Sequence, residues 1–172
     1  MRNILLVIDM QHDFIDGALG TAEAVSIVPN VIEKIKSFDG EVYFTRDTHF
    51  DDYLNTQEGK NLPIKHCIKS TQGWQIHKEI DDLRKTDVID KITFGSSYLF
   101  KFLEDENKNE KIDKITLIGL CTDICVISNA IGIKAFLPEI QIEVDSSCCA
   151  GVTKESHENA LKAMKMCQIT II

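Results

Sequence analysis

The sequence has no apolar stretch close to the roughly 20 residues that a membrane-spanning helix needs. Its first apolar run, Ile4–Ile8, is five residues long and stops at Asp9. A secretory signal carries a longer apolar segment, so this run is better interpreted as a strand. We therefore expect no export signal and no membrane partner.

Cysteine pairs of the Cys-x-x-Cys type are also missing, although the chain has six cysteines. Cys121 and Cys125 are four residues apart, and Cys148 and Cys149 are adjacent. A structural zinc site of the usual kind is therefore not predicted. Six cysteines without an export signal indicate reduced thiols in a cytoplasmic protein rather than a disulfide framework.

An excess of positive charge is lacking, because 19 Lys and Arg face 27 Asp and Glu and give a formal net charge of -8. A nucleic-acid-binding protein needs a positive footprint on phosphate, so we expect a small molecule and not a nucleic acid as the partner. The chain also lacks repeats, linkers and low-complexity segments. Its 172 residues predict a single domain over residues 1–172.

Strand-like and helix-like segments alternate along the chain, with no signal for a tandem hairpin. Strand patterns cover residues 3–8, 41–45, 87–90, 115–118, 141–144 and 169–172, and helical spacing covers residues 24–38, 78–83, 96–102, 122–136 and 154–166. Residues 50–71 have no sustained period, and the dense charge of residues 104–111 indicates a solvated turn. The alternation predicts an α/β fold with a six-stranded, mainly parallel sheet.

Cys125 follows the fourth predicted strand, which breaks at Gly119 and leads into a helix that Thr122 or Asp123 can cap. A thiol at a helix N-terminus favours the thiolate form, which attacks carbonyl groups. The alternative is a buried cysteine without reactivity, which is common because cysteine is among the most buried residue types. Taken alone, Cys125 leaves both interpretations open.

Asp9, Asp47, Lys91 and Cys125 each come just after the carboxyl end of a predicted strand. Ligands of parallel α/β sheets bind outside this edge. A single Asp or Lys after a strand is usually a turn residue or a solvated charge. Four reactive side chains at one edge are harder to explain in that way, and they favour an active site.

The chain resembles the isochorismatase-like cysteine hydrolases, the family that includes nicotinamidases. The resemblance runs from end to end and depends on four motifs, which are Val7–Phe14, Thr45–His49, Lys91 with the following Phe94–Ser97, and Gly119–Val126. It implies a three-layer, Rossmann-like hydrolase fold with helices on both faces of the sheet. It is also compatible with a homo-oligomer, since members of the family are often oligomeric.

The resemblance implies a catalytic triad of Asp9, Lys91 and Cys125. Asp9 would take the thiol proton as general base, and the charge of Lys91 would stabilise thiolate and carboxylate together. In this family two backbone N–H groups hold the oxyanion, here those of Cys121 and Cys125. The family also implies a cis peptide bond between Leu120 and Cys121.

Asp47 and His49 stand two residues apart, and Glu58 and His66 follow in the long loop. By itself this spacing is a weak signal for a metal site, although such ligands suit zinc, manganese or iron. The resemblance to nicotinamidases implies that the four residues bind a divalent ion, most simply zinc, which receives the pyridine nitrogen of the substrate.

The expected reaction is hydrolysis of nicotinamide to nicotinate and ammonia through a thioester on Cys125, as in NAD salvage. The resemblance also implies that Phe14 and Tyr98 pack against the substrate ring, and ordinary core packing stays open for both. Ureide or carbamoyl amidases and isochorismatases of the same family lack the metal ligands and are the alternative. A non-catalytic ligand-binding or redox-sensing protein on the same fold is less favoured, because binding needs no Asp, Lys and Cys together.

Overall fold

The computed structural model describes residues 1–172, and its strands form one six-stranded sheet. The strands are β1 (Asn3–Ile8), β2 (Glu41–Asp47), β3 (Val88–Lys91), β4 (Lys114–Leu120), β5 (Gln141–Ala150) and β6 (Thr170–Ile171). Their order in the sheet is β3-β2-β1-β4-β5-β6, and every neighbouring pair is parallel. The predicted α/β fold with a parallel sheet is therefore confirmed.

Helices cover both faces of the sheet. They are α1 (His12–Ile15), α2 (Ala22–Ser37), α3 (Gln57–Asn61), α4 (Lys78–Asp81), α5 (Ser97–Asn109), α6 (Ile127–Phe136) and α7 (Lys154–Met166). A 3₁₀ turn spans Tyr53–Asn55, and a π-helical turn spans Thr122–Val126. No helix is long and apolar enough to cross a membrane.

The alternating side chains of β1 divide the interior into two apolar clusters. Ile4, Leu6 and Ile8 pack with apolar residues of α5, α6 and α7 on one face. Leu5 and Val7 pack with apolar residues of α1, α2 and α4 on the other face. Burial on both faces explains why β1 is an uninterrupted apolar run, and it confirms the predicted three layers.

The prediction of a solvated turn over residues 104–111 is wrong, because α5 continues to Asn109. Oppositely charged side chains lie three and four residues apart on this helix, as in the contacts of Glu104 with Lys101 at 2.8 Å and with Lys108 at 3.1 Å. Such pairs support an exposed helical face. Arg2 also donates to the carbonyl oxygen of Glu110 at 2.8 Å, just beyond the helix.

Two further segments are more ordered than the sequence indicates. The loop over residues 50–71 contains the 3₁₀ turn and α3, and the Thr56 side chain accepts from Gly59 N to cap α3. Strand β5 runs to Ala150 instead of ending at Val144, and it pairs with β4 again beyond a register shift. The polar Ser146 and Ser147 hide this continuation in the sequence.

Candidate active site

The structure brings Asp9, Lys91 and Cys125 together at the carboxyl edge of the sheet. Lys91 Nζ lies 2.6 Å from Asp9 Oδ2 and 3.4 Å from Cys125 Sγ. It also lies 3.2 Å from Asp47 Oδ1. All four residues are buried, so the lysine charge is shared among these groups without screening by bulk water.

Asp9 is held in place by its backbone conformation and by Thr45. The residue has a φ of 47°, in the left-handed region that non-glycine residues seldom adopt. Thr45 Oγ1 donates to Asp9 Oδ1 at 2.7 Å and accepts from Asp9 N at 3.3 Å. The hydroxyl of a neighbouring strand thus fixes the turn that presents the carboxylate to Lys91.

The segment before Cys125 requires a glycine. Gly119 has a φ of 117°, and a Cβ atom at this position would lie 2.1 Å from the carbonyl oxygen of Ile8 on β1. The peptide bond between Leu120 and Cys121 is cis, as the family resemblance implies. Cys125 then lies in the π-helical turn, where the sequence analysis predicted the start of an ordinary α-helix.

Asn129, a residue without a role in the sequence analysis, connects the turn of Cys125 to the segment after Lys91. Its Nδ2 donates to the carbonyl oxygens of Cys125 at 2.8 Å and Phe94 at 3.0 Å, and its Oδ1 accepts from Ser96 N at 3.0 Å. The side chain is fully buried. A buried Asn in an otherwise apolar helix was the signal available in the sequence, because such a group must find partners.

The pKa of Cys125 is shifted in the direction opposite to the one expected for a thiol at a helix N-terminus. Burial raises the pKa of Cys125 well above its ordinary value, and the positive charge of Lys91 opposes this without outweighing it. Burial also raises the pKa of Asp9. Burial lowers the pKa of Lys91, but Asp9, Cys125 and Asp47 outweigh it and keep the lysine charged. The geometry thus places an Asp–Lys ion pair beside the Cys125 thiol.

Asp47, His49, Glu58 and His66 form a compact cluster beside these residues. One ligand atom from each of the four residues lies within 4.8 Å of the others. His49 Nε2 is 2.9 Å from Asp47 Oδ2 and 3.4 Å from Glu58 Oε1. The structure thus brings the four predicted metal ligands together, although the segment that carries Glu58 and His66 has little sequence pattern.

The donor set of this cluster fits a divalent cation. His49 Nε2 is buried and has no hydrogen bond of acceptable geometry despite the nearby carboxylates. His66 Nδ1 lies 2.8 Å from the carbonyl oxygen of Ile64, which can only accept, so Nδ1 carries the proton and Nε2 offers a lone pair to the cluster. Two imidazoles and two carboxylates are a ligand set that zinc, manganese and iron accept.

The charges of the cluster also favour the binding of a cation. Burial would raise the pKa of Glu58, but contacts with His49 and His66 outweigh burial and lower it to about 2. Burial would lower the pKa of His49, but Asp47 and Glu58 outweigh it and raise it to about 9. The carboxylates that attract a proton to His49 would equally attract a metal ion.

Gln11 positions Asp47 between the two groups and was not recognised in the sequence. Its amide nitrogen donates to the carbonyl oxygen of Asp47 at 2.8 Å, and its amide oxygen accepts from Asp47 N at 2.7 Å. The same nitrogen donates to the carbonyl oxygen of Trp74 at 2.9 Å. A polar side chain three residues beyond the apolar strand β1 was the only signal for this role.

A cavity connects the Cys125 thiol with the metal-ligand cluster, and we call it the catalytic cavity. Its lining residues are Phe14, Leu19, Asp47, Glu58, Leu62, His66, Phe94, Cys121, Ile124 and Cys125. Phe14 is thus placed at the site, with its ring centroid 5.6 Å from that of His66.

The structure does not place Tyr98 at the catalytic cavity, and its predicted contact with a substrate stays a prediction. Tyr98 is 66% exposed, does not line the catalytic cavity and stacks on Phe102. The reason is the direction of α5, which turns Leu99 and Leu103 into the core and Tyr98 outward. Phe94, in the segment before α5, lines the cavity instead.

The structure thus combines a parallel α/β sheet with a buried Asp, Lys and Cys cluster at the carboxyl edge of the strands. A sequence profile of the isochorismatase domain matches residues 3–172. The chain belongs to the isochorismatase family of hydrolases.

Known relatives are similar over nearly the whole chain. The uncharacterized isochorismatase family protein PncA of Bacillus subtilis strain 168 is 27% identical over an alignment of 174 residues including gaps, and the alignment covers 94% of this chain and 93% of the relative. The crystal structure of nicotinamidase/pyrazinamidase PncA from Bacillus subtilis is 26% identical, with 99% of each chain covered and a TM-score of 0.83. The pyrazinamidase/nicotinamidase of Streptococcus mutans UA159 is 27% identical, with 99% of each chain covered and a TM-score of 0.84.

Proposed function

We propose that this protein is a metal-dependent cysteine amidase that hydrolyses nicotinamide to nicotinate and ammonia. The observation that carries the proposal is the position of Lys91, whose Nζ contacts both Asp9 and Cys125 beside a cavity that Asp47, Glu58 and His66 also line. The similarity to structures described as nicotinamidases supports the choice of substrate. Pyridine-nucleotide salvage in the cytoplasm is part of the same proposal.

In the proposed reaction Asp9 accepts the proton of the Cys125 thiol as the sulfur attacks the amide carbonyl carbon. Because burial raises the pKa of Cys125, a nearby base is needed to take this proton, and Asp9 is proposed for that role. Asp9, whose pKa is also raised by burial, then passes the proton to the departing nitrogen, and ammonia leaves. A thioester joins the acyl group to Cys125.

Water completes the proposed reaction. Asp9 takes a proton from the water molecule that attacks the thioester carbonyl, the C–S bond breaks, and the Cys125 sulfur regains its proton as the carboxylic acid is released. The N–H groups of Cys121 and Cys125 are proposed to hold the oxyanion in both steps. Lys91 keeps its positive charge throughout and stabilises the negative charge that moves between Asp9 and Cys125.

Asp47, His49, Glu58 and His66 are the residues that would hold a divalent ion, most simply zinc. When bound, the ion supplies a Lewis-acidic contact for a ring nitrogen of the substrate. Phe14 would pack against the ring, since it lines the same cavity and lies beside His66. A ring with nitrogen at one end and a carboxamide at the other suits a cavity with ligands at one end and a thiol at the other.

An ammonia-release screen tests the proposal. The zinc-loaded protein and its Cys125→Ala variant are assayed with nicotinamide, pyrazinamide, a ureide and an isochorismate analogue. We expect turnover of nicotinamide and pyrazinamide by the wild-type protein and none by the variant, which should still bind zinc. Turnover of the ureide or the isochorismate analogue in place of nicotinamide would transfer the proposal to another activity of the family.

A further inference from the structure

A second cavity adjoins the catalytic cavity, and we call it the apolar cavity. The two share a wall of five residues, which are Phe14, Leu19, Leu62, Cys121 and Ile124. The rest of the apolar cavity is formed by Thr21, Ala24, Leu120, Gly151 and Val152. The apolar cavity measures about 250 Å³, whereas the catalytic cavity measures about 50 Å³.

The apolar cavity lies outside the reacting groups. Cys125, Asp47, Glu58 and His66 line only the catalytic cavity. Helix α2, the end of β4 and the residues after β5 supply the remaining wall of the apolar cavity. A molecule with its amide at Cys125 could therefore extend past Cys121 into this space without reaching the metal-ligand cluster.

The lining selects for an uncharged group. No charged residue belongs to it, and the Thr21 hydroxyl already accepts a hydrogen bond from Ala24 N at 3.0 Å. Burial raises the pKa of Cys121 to about 12, so the shared wall is neutral at physiological pH. A charged group placed here would lose its hydration without gaining a partner.

We propose that the apolar cavity is a substrate subsite, which takes an apolar substituent carried by the acyl part of the amide. The inference rests on the proposed amidase function and widens its substrate class to carboxamides larger than nicotinamide. Its position beside the catalytic cavity supports substrate as the occupant, because five residues line both cavities. The reaction is unchanged, with cleavage of the C–N bond and addition of water.

The test compares nicotinamide with two sets of derivatives. One set carries an isopropyl group at ring carbon 4, 5 or 6, and the other carries a carboxylate group at the same ring carbon in place of the isopropyl group. We expect at least one isopropyl compound to have a kcat/KM equal to or above that of nicotinamide. Its carboxylate counterpart should be at least tenfold poorer, since burial of three carbons is worth more than a factor of ten. If every isopropyl compound is poorer than nicotinamide, the proposal is wrong.

Two variants that fill the apolar cavity test whether the isopropyl group binds there. Ala24→Leu fills the cavity from α2, and Val152→Phe does so from a lining residue that is 52% exposed and so tolerates substitution more readily. Each should lower kcat/KM for the isopropyl compound at least tenfold more than for nicotinamide. Val25→Leu, at the neighbouring exposed position of α2, is the matched control. Equal losses for both substrates in both filling variants would overturn the assignment.

A binding measurement distinguishes failure of the proposed amidase function from failure of the proposed subsite. If nicotinamide and all its derivatives are left intact, calorimetry with the Cys125→Ala variant measures binding without turnover. The subsite still predicts at least tenfold tighter binding of one isopropyl compound than of its carboxylate. Equal affinity for the two, or binding of neither, would contradict the subsite itself.

Discussion

Lys91 Nζ and Asp9 Oδ2 lie 2.6 Å apart in the interior, with side chains that are 1% and 0% exposed. A buried ion pair of this kind contributes little net stability, but loss of one partner leaves an uncompensated charge. Lys91 is also the only cation within contact of both Asp47 and Cys125. The lysine therefore has a structural role that accompanies the proposed role in catalysis.

Replacement of Lys91 by Met should lower both activity and stability. Asp9 loses its cationic partner, and Asp47 loses one partner but retains His49, so the free energy of unfolding should fall by about 3 kcal/mol. Denaturant unfolding measures this loss, and ammonia release should become undetectable. Lys101→Met is the control, because the ion pairs of Lys101 are exposed and should contribute little to stability. Equal stability of the two variants would contradict the structural role of Lys91.

Removal of the Thr45 hydroxyl should slow the reaction without loss of the fold. Thr45→Val keeps the shape of the side chain but removes the donor 2.7 Å from Asp9 Oδ1. A hydrogen bond to a charged group is worth about 1.5–3 kcal/mol, so kcat/KM should fall by about 10- to 100-fold. Thr45→Ser retains a hydroxyl and should retain most of the activity. A Thr45→Val variant as active as the wild-type protein would show that Asp9 needs no such support.

Chelation should abolish nicotinamide turnover, and an added divalent ion should restore it. The prediction follows from the cluster of two imidazoles and two carboxylates, whose ligand atoms lie within 4.8 Å of one another. His49→Ala and Glu58→Ala should lower the metal content measured by elemental analysis, whereas His12→Ala, outside the cluster, should not. Full activity of the exhaustively chelated protein would exclude a role for metal in the reaction.

Much of the fold was accessible from the sequence because burial on both faces produces uninterrupted apolar strands such as β1. The carboxyl ends of parallel strands lie at one edge of a sheet, and this rule correctly predicted that Asp9, Asp47, Lys91 and Cys125 lie close together. The π-helical turn could not be predicted, since no local sequence pattern distinguishes it from the start of an α-helix. The outward direction of Tyr98 depends on which face of α5 packs on the sheet.

The supporting residues were the least predictable part of the site. Gln11, Thr45 and Asn129 each act through a hydrogen bond to a residue on another segment or one helical turn away. Their partners are set by tertiary contacts, which a single sequence does not encode locally. Burial and the carboxylates of Asp9 and Asp47 raise the pKa of Cys125 against the opposing charge of Lys91, and these charged groups come from other segments of the chain.

The free energy of unfolding should depend on pH through His157, which contacts the π-helical turn of Cys125. Its Nδ1 lies 2.8 Å from Thr122 Oγ1, and burial lowers its pKa below 6.5, although Asp123 and Glu158 oppose the shift. As the pH falls below 6.5, the unfolded chain binds the proton first, so the folded state loses stability. His157→Gln should weaken the loss of unfolding free energy between pH 7.5 and pH 5.5. Identical losses in variant and wild-type protein would contradict this origin.

In the proposed reaction Cys125 forms a thioester with the acyl group of the substrate. Acid quenching of the metal-loaded protein during nicotinamide turnover, followed by peptide mass spectrometry, tests it directly. We predict a mass increase of one nicotinoyl group on the peptide that contains Cys125, absent from the Cys125→Ala variant, which should release no ammonia. Ammonia release by the variant at the wild-type rate, with no acyl group on Cys125 in the wild-type protein, would contradict the account.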